Sequence, residues 1–317
     1  MLDLPRLGMG TAAIGNLYRA MTDAEAAATI HAALDAGIRY FDTAPHYGFG
    51  LAEQRLGRGL GVRKDVLVST KIGRLLLPTT DLRRERHAFV DARPYEPVFD
   101  YSGDAVLRSL DGSLERLERD HVDLLLAHDI GRLTHGDHHE ATLRIFLEDG
   151  YPAMRRLRDE GAVRAIGIGV NEVAICLDLL DRVDLDVILL AGRFTLLDRS
   201  AAEELLPLCE AKGVRLIVGG PYNSGILAQP LADGGERRFD YAPAAAETLS
   251  RARNIEAECA RFDVALPVAA LQFPLRHPAV ASVIPGMANP AEIADNVARL
   301  VVPVPDDLWA ALEGMPA

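Results

Sequence analysis

Short apolar runs, each followed by a longer amphipathic segment, recur along nearly the whole of this 317-residue chain, and that alternation constrains the fold more than any other feature. Residues 39–41, 66–70, 122–127, 165–168, 187–190, 214–218 and 281–284 read as strands, with a fainter one at 7–10. Helical periodicity falls between and after them. Residues 23–36 are capped by Thr22 and closed by Gly37. Residues 51–60, 103–119, 151–160, 172–180, 201–212, 245–261 and 290–298 continue the series, and Val106, Leu110, Leu114 and Leu117 form one stripe of the 103–119 helix. Strands that are apolar on both faces need cover on both, as in a parallel sheet wrapped by helices. About eight strand–helix pairs fit a closed (β/α)8 barrel, a TIM barrel, better than an open sheet, and the whole chain, 1–317, suits one such domain.

Charge and cysteine use narrow the functional classes. With 46 acidic against 34 basic residues the formal charge is −12, which argues against nucleic acid and anionic membranes as partners. A local basic pocket could still hold a dinucleotide. No apolar run approaches a membrane-spanning length, and residues 1–11 lack the basic-then-apolar pattern of a secretory signal, so the cytoplasm is the expected location. Cys176, Cys209 and Cys259 lie far apart in helical segments and read as reduced, buried thiols. The expected partner is a small-molecule substrate; nothing in the pattern marks an oligomeric surface.

Two connections exceed ordinary loop length, 72–102 and 129–150. Both follow strands, so both fall on the rim where barrel enzymes build their sites, and each is a candidate substrate loop or a decorative insertion. His135, His138 and His139 in the second, with Asp137 or Glu140, could suggest a metal. One loop rarely closes a coordination sphere alone, and no metal is expected. No Gly-x-Gly-x-x-Gly crossover follows a first strand, so a doubly wound dinucleotide fold is not supported.

Four residues at or just beyond strand ends suggest chemistry. Asp42 follows residues 39–41, Tyr47 lies five positions later, Lys71 follows 66–70, and His128 follows 122–127. Parallel strands of a barrel bring these ends to one rim. Hydride transfer to a carbonyl leaves an alkoxide that needs a proton, and the reverse reaction needs that proton removed. A free tyrosine titrates near 10, and a neighbouring lysine ammonium would favour phenolate and bring it down. Asp42 would hold Lys71 charged, and His128 would donate to the substrate oxygen. Each residue also has a plain reading: a surface lysine, a satisfied histidine, a packed loop tyrosine, a turn-capping aspartate.

The run Gly37-Ile38-Arg39-Tyr40-Phe41-Asp42-Thr43-Ala44-Pro45-His46-Tyr47-Gly48 resembles the signature of the aldo-keto reductase superfamily, with Lys71 and His128 in that superfamily's order. The resemblance runs from residues 7–10 to 284–286. It implies a (β/α)8 barrel, a nicotinamide cofactor, and the catalytic tetrad Asp42, Tyr47, Lys71 and His128, with Tyr47 as proton donor or acceptor. At residues 41–50, 123–129 and 191–197 the chain is similar to bacterial sugar 1-dehydrogenases of the D-threo-aldose or L-fucose type. That implies oxidation of the C1 hydroxyl of an aldose such as L-fucose, L-galactose or D-arabinose to a lactone, with Tyr47 as general base. Pyridoxal 4-dehydrogenases share this likeness and stand as the alternative, followed by L-galactose dehydrogenase, general aldehyde or ketone reduction, and a noncatalytic dinucleotide-binding protein.

The resemblance also implies cofactor contacts. Asn171 matches a residue that meets the nicotinamide carboxamide, with Gly169 or Val170 where a serine is expected and Ala191 where many relatives have glutamine. Residues 219–225 resemble a cofactor-embracing loop, implicating Gly219, Pro221, Asn223 and Gly225. The aromatic that stacks on nicotinamide in many relatives is absent near Gly219; Tyr222 or Phe194 stand as substitutes. Beyond residue 285, NADP-using relatives carry Lys, Ser and then Arg, where this chain has Gly286, Met287 and Glu292. Asp295 and Asn296 match a pair that contacts adenine. NAD is therefore expected to be preferred, with NADP as the alternative and Arg276 as a substitute phosphate contact.

Overall fold

Residues 3–231 and 237–315 are described by the structure, a computed structural model. Its strands, in chain order, are β1 (Met9–Gly10), β2 (Tyr40–Asp42), β3 (Leu67–Ile72), β4 (Arg74–Pro78), β5 (Glu85–Arg86), β6 (Phe89–Val90), β7 (Tyr95–Phe99), β8 (Leu124–His128), β9 (Ala165–Val170), β10 (Val187–Ala191), β11 (Arg215–Gly219), β12 (Arg238–Phe239), β13 (Ala242–Pro243) and β14 (Val280–Ile284). Eight of them form one parallel sheet in the order β1-β2-β3-β8-β9-β10-β11-β14. Parallel bridges Leu7–Val283 and Gly10–Gly286 join its two edges, so the sheet closes into the expected (β/α)8 barrel.

Burial explains why the strands are apolar throughout. Inward residues such as Tyr40, Leu124, Leu126, Val187, Leu189 and Ile217 fill the barrel interior. Their outward neighbours, including Phe41, Val68, Leu125, Ile166, Ile188 and Val218, pack beneath the surrounding helices. The first helix, Asp23–Asp35, begins with a reciprocal cap: the Thr22 hydroxyl accepts from the Glu25 amide, and the Glu25 carboxylate accepts from the Thr22 amide.

The long connections are more ordered than their sequence suggests. Within 72–102, β4 pairs with β7 and β5 with β6, both antiparallel. Within 129–150 lie the helices Arg132–His135 and His139–Ile145, and the backbone continues through a wide turn, Phe146–Gly150, into helix Tyr151–Asp159. Two helices absent from the sequence reading are Leu266–Gln272 and Asp306–Glu313. The first is buried almost all round, so it carries no amphipathic period. The helix expected from residue 201 starts at Leu205, after a turn. All three cysteines are buried and free. Among the described residues no helix is long and apolar enough to cross a membrane, and no three His, Cys, Asp or Glu residues are grouped to hold a metal ion.

Candidate active site

Strand register sets three of the four candidate side chains side by side. Asp42 ends β2, Lys71 is next to last in β3, and His128 ends β8, on three adjacent strands. Tyr47 arrives from the turn after β2. Gly48 beside it has φ +63°, and a Cβ there would meet the Gly15 carbonyl oxygen at 2.3 Å, so only glycine lets this turn press against residues 13–15 and keep Tyr47 facing the barrel. Lys71 extends alongside Gly169, where a Cβ would lie 3.1 Å from the lysine Cε. Glycine at this position leaves the lysine its room.

The four groups are joined by hydrogen bonds. Lys71 Nζ donates to Asp42 Oδ2 at 2.7 Å, to the Thr43 carbonyl at 2.8 Å and to the Tyr47 hydroxyl at 3.2 Å. The other Asp42 oxygen accepts from Ser69 Oγ at 2.7 Å, and Ser69 in turn bonds Tyr40 OH at 2.9 Å. The Lys71 and Asp42 side chains are only 2% and 3% exposed, so this ion pair depends on those extra bonds to offset its desolvation. The His128 ring stands edge-on to Tyr47, centroids 5.9 Å apart.

Electrostatics correct one expectation. Burial, followed by the charges of Asp42 and Asp129, pushes the Tyr47 phenol well above its ordinary value, and only Arg74 opposes them. Burial is the larger cause; in addition Asp42 lies closer to Lys71 than Tyr47 does, so the phenol faces a compensated pair rather than a free ammonium. Tyr47 is accordingly protonated at neutral pH. Burial, then Arg74, Lys71 and His46, holds His128 well below its usual value, which keeps the imidazole neutral. Its Nδ1 is buried without a partner, while Nε2 faces Asp129 Oδ2 at 3.5 Å. The nearby carboxylate favours the tautomer with the ring proton on Nε2.

Above the tetrad opens a cavity of about 560 Å³. Tyr47, Lys71 and His128 line its base; Tyr18, His46, His87 and Phe89 contribute rings to its walls, with Arg74, Glu85, Asp129 and Arg238 as the charged groups. Arg74 and Asp129 form an ion pair at 14% and 12% exposure. Arg74 also bonds His46 Nε2 at 3.3 Å, and Asn171 Nδ2 donates to Asp129 Oδ1 at 3.2 Å. A second cavity, about 190 Å³, adjoins the first at Tyr47, Asn171, Ala191 and Tyr241. Its lining includes Gly10, Gly192, Gly219, Gly220, Asn223 and Gly286. A Cβ added at Gly220 or Gly286 would meet no atom within 4 Å, so this slot is open where side chains are missing.

Of the expected cofactor residues, Asn171, Gly219, Asn223 and Gly286 line these cavities. Gly225 lies in the same loop at φ +98°. Pro221 and Met287 are buried. Asn296 is also buried: its amide donates to the Glu292 carbonyl, and its oxygen accepts from Tyr222 OH at 2.6 Å. Neither aromatic substitute lines either of these two cavities: Tyr222 is held by Asn296 and Phe194 packs on Phe273. Glu292 caps its own helix, accepting from the Ala288 amide at 2.7 Å and Asn289 Nδ2 at 2.8 Å. Asp295 pairs with Arg299 at 3.5 Å. Arg276 pairs with Glu313 and lies over the Trp309 ring, committed elsewhere. Sequence reasoning missed Ser69, Arg74, His46 and Tyr241, and did not single out Asp129. A carboxylate directly after the strand-ending histidine was the one available signal.

A barrel with this tetrad at its mouth matches known proteins along its length. The Aldo/keto reductase family profile covers residues 6–316. The chain belongs to the aldo/keto reductase family. It is accordingly an NAD(P)-dependent oxidoreductase of that type. A pyridoxal 4-dehydrogenase from Microbacterium luteolum is 43% identical, over 98% of this chain and 94% of the relative. A D-threo-aldose 1-dehydrogenase from Pseudomonas sp is 41% identical, with 98% and 94% covered. An L-galactose dehydrogenase from Arabidopsis thaliana is 32% identical over 94% of this chain and 85% of its own length. Among solved structures, a holo-form aldo-keto reductase from Bacillus halodurans superposes with a TM-score of 0.76 at 26% identity, covering 98% and 92% of the two chains.

Proposed function

We propose that this enzyme oxidises the cyclic hemiacetal of a hydroxyaldehyde to a lactone, with pyridoxal as first candidate substrate and NAD as preferred cofactor. Pyridoxal and aldoses share the reacting group: each closes its aldehyde onto its own hydroxyl, giving a carbon that bears both OH and ring oxygen. The observation that carries the choice of pyridoxal is the character of the 560 Å³ cavity. His46, Phe89 and His87 present ring surfaces against one another, with His46–Phe89 centroids 5.4 Å apart, and most polar groups nearby are already paired. Such walls suit a flat heteroaromatic better than a saturated ring whose every hydroxyl needs a partner. The 43% identical pyridoxal dehydrogenase supports the same reading, and the 41% identical aldose dehydrogenase supports the sugar as the second.

The bound dinucleotide supplies the hydride acceptor, and the glycine-floored slot beside Tyr47, with Asn171 at its junction, fits its nicotinamide end. In reduction the Tyr47 phenol gives its proton to the substrate oxygen and becomes phenolate; in oxidation that phenolate, the minor form at neutral pH, takes the proton of the substrate hydroxyl. His128 donates from Nε2 to the same oxygen and fixes its direction. Lys71 donates to the tyrosine oxygen and so stabilises phenolate as it forms; Asp42 holds Lys71 in place. Because Tyr47 rests protonated, oxidation gains as pH rises and reduction loses. NAD preference rests on Glu292, whose carboxylate occupies the donors at the start of helix Pro290–Val301 and would repel a 2′-phosphate.

Purified enzyme assayed with pyridoxal, L-fucose, L-galactose, D-arabinose and simple aldehydes, each with NAD and NADP, tests both parts. The expected result is the highest kcat/KM for pyridoxal with NAD, with a lactone as product. Exclusive turnover of an aldose moves the assignment to the sugar, and a clear NADP advantage refutes the role given to Glu292.

A further inference from the structure

The cofactor slot has a floor of small residues and, at first sight, no lid. At the end of β11 a Cβ on Gly219 would press on Ala191 Cβ and Leu189 Cδ2, both at 3.3 Å, so the strand end offers no side chain to cover a bound ring. The cover comes from elsewhere. Strands β12 and β13 form a hairpin whose two-residue tip is Asp240 and Tyr241, at φ +48° and +65°. This turn normally takes Asn, Asp or Gly, and a tyrosine held at positive φ is strained there. Such strain persists where the surroundings impose it.

The surroundings here are specific. Asp240 Oδ2 pairs with Arg193 at 2.9 Å, and the same guanidinium holds Asp198 at 2.8 Å and donates to the Asn171 carbonyl at 2.6 Å. The Tyr241 amide donates to Ser224 Oγ at 3.0 Å, and its hydroxyl reaches Asn171 Oδ1 at 3.4 Å. Tyr241 is 56% exposed overall, yet burial raises its phenol, whose hydroxyl lies against Asn171. Among the described residues, Tyr47 and Tyr241 are the only aromatic rings that line both cavities.

We propose that Tyr241 is the positioning residue that covers the nicotinamide face in this enzyme, carried by the β12–β13 hairpin and clasped through Asp240 to Arg193. The inference rests on the dinucleotide reading above, with Asn171 exchanging its long bond to Tyr241 for the carboxamide.

Titration of NADH fluorescence on wild type, Tyr241→Ala, Tyr241→Phe and Asp240→Asn tests this, alongside kcat and substrate KM. Loss of one stacked ring is expected to weaken NADH binding about tenfold in Tyr241→Ala and to lower kcat with it. Tyr241→Phe keeps the ring and is expected to stay within about twofold, while Asp240→Asn falls between them. Thermal melts verify that each variant folds. Unchanged NADH affinity in Tyr241→Ala overturns the proposal, as does a Tyr241→Phe defect equal to that of alanine, which would assign the effect to the hydroxyl. Wild type that binds neither NADH nor NADPH would instead remove the dinucleotide reading, and the proposal with it.

Discussion

Replacing Lys71 with methionine separates the structural from the chemical role of the buried pair. The side chain keeps roughly its length but loses the ammonium, and Asp42 stays 2% exposed with only Ser69 Oγ still donating to its carboxylate. A partner 2.7 Å away is gone, and an uncompensated buried charge costs about 3–5 kcal/mol. In a chain of this size that corresponds to a fall in Tm of roughly 5–8 °C. Adding Asp42→Asn removes the stranded charge, so the double variant is expected to regain most of the lost stability while remaining inactive. Thermal melts and urea titrations of the four proteins measure the cycle, and turnover with the best substrate measures the chemistry. A Lys71→Met protein as stable as wild type refutes the buried-pair argument. A double variant no more stable than Lys71→Met refutes the attribution to Asp42.

Three further outcomes follow from the same geometry. Tyr47→Phe is expected to lose about 10²–10⁴-fold in kcat while NADH affinity, read by fluorescence, stays near wild type, because only the hydroxyl proposed to transfer the proton is removed. Gly48→Ala is expected to cost about 2–4 kcal/mol in urea denaturation, since it adds a Cβ at positive φ directly against the Gly15 carbonyl. Burial, and after it the charge of Arg74, lowers His46 from 6.5 to about 2. The unfolded chain therefore binds this proton first, and the stability it contributes is complete above about 6.5 and falls as pH drops through the window toward 2. Between pH 7 and pH 5 the loss is about 2 kcal/mol, and His46→Asn should flatten the measured pH–stability slope by that amount.

How far the sequence could be read depended on whether a signal was local. Asp42, Lys71 and His128 were legible because each closes an apolar run, and a parallel barrel forces all strand ends of one polarity onto one rim. Residues 72–102 read as an open loop because the pairing of Arg74 with Phe99 and Pro78 with Tyr95 joins segments that show no alternation by themselves. Helix Leu266–Gln272 lacked a period because both its faces are buried. The protonation of Tyr47 was misread for a different reason. Burial raises the phenol most, and the lysine that would lower it is tied to Asp42 at 2.7 Å; neither is revealed by spacing. Arg74 and Asp129, 55 residues apart, likewise become one ion pair only in the folded barrel. The same holds for Tyr241. Its hairpin follows β11, yet its place over the junction of the two cavities is set by Arg193, which lies just beyond β10, and by Ser224, beyond β11. The residues that end strands were thus legible one by one, while the contacts between rim loops were not.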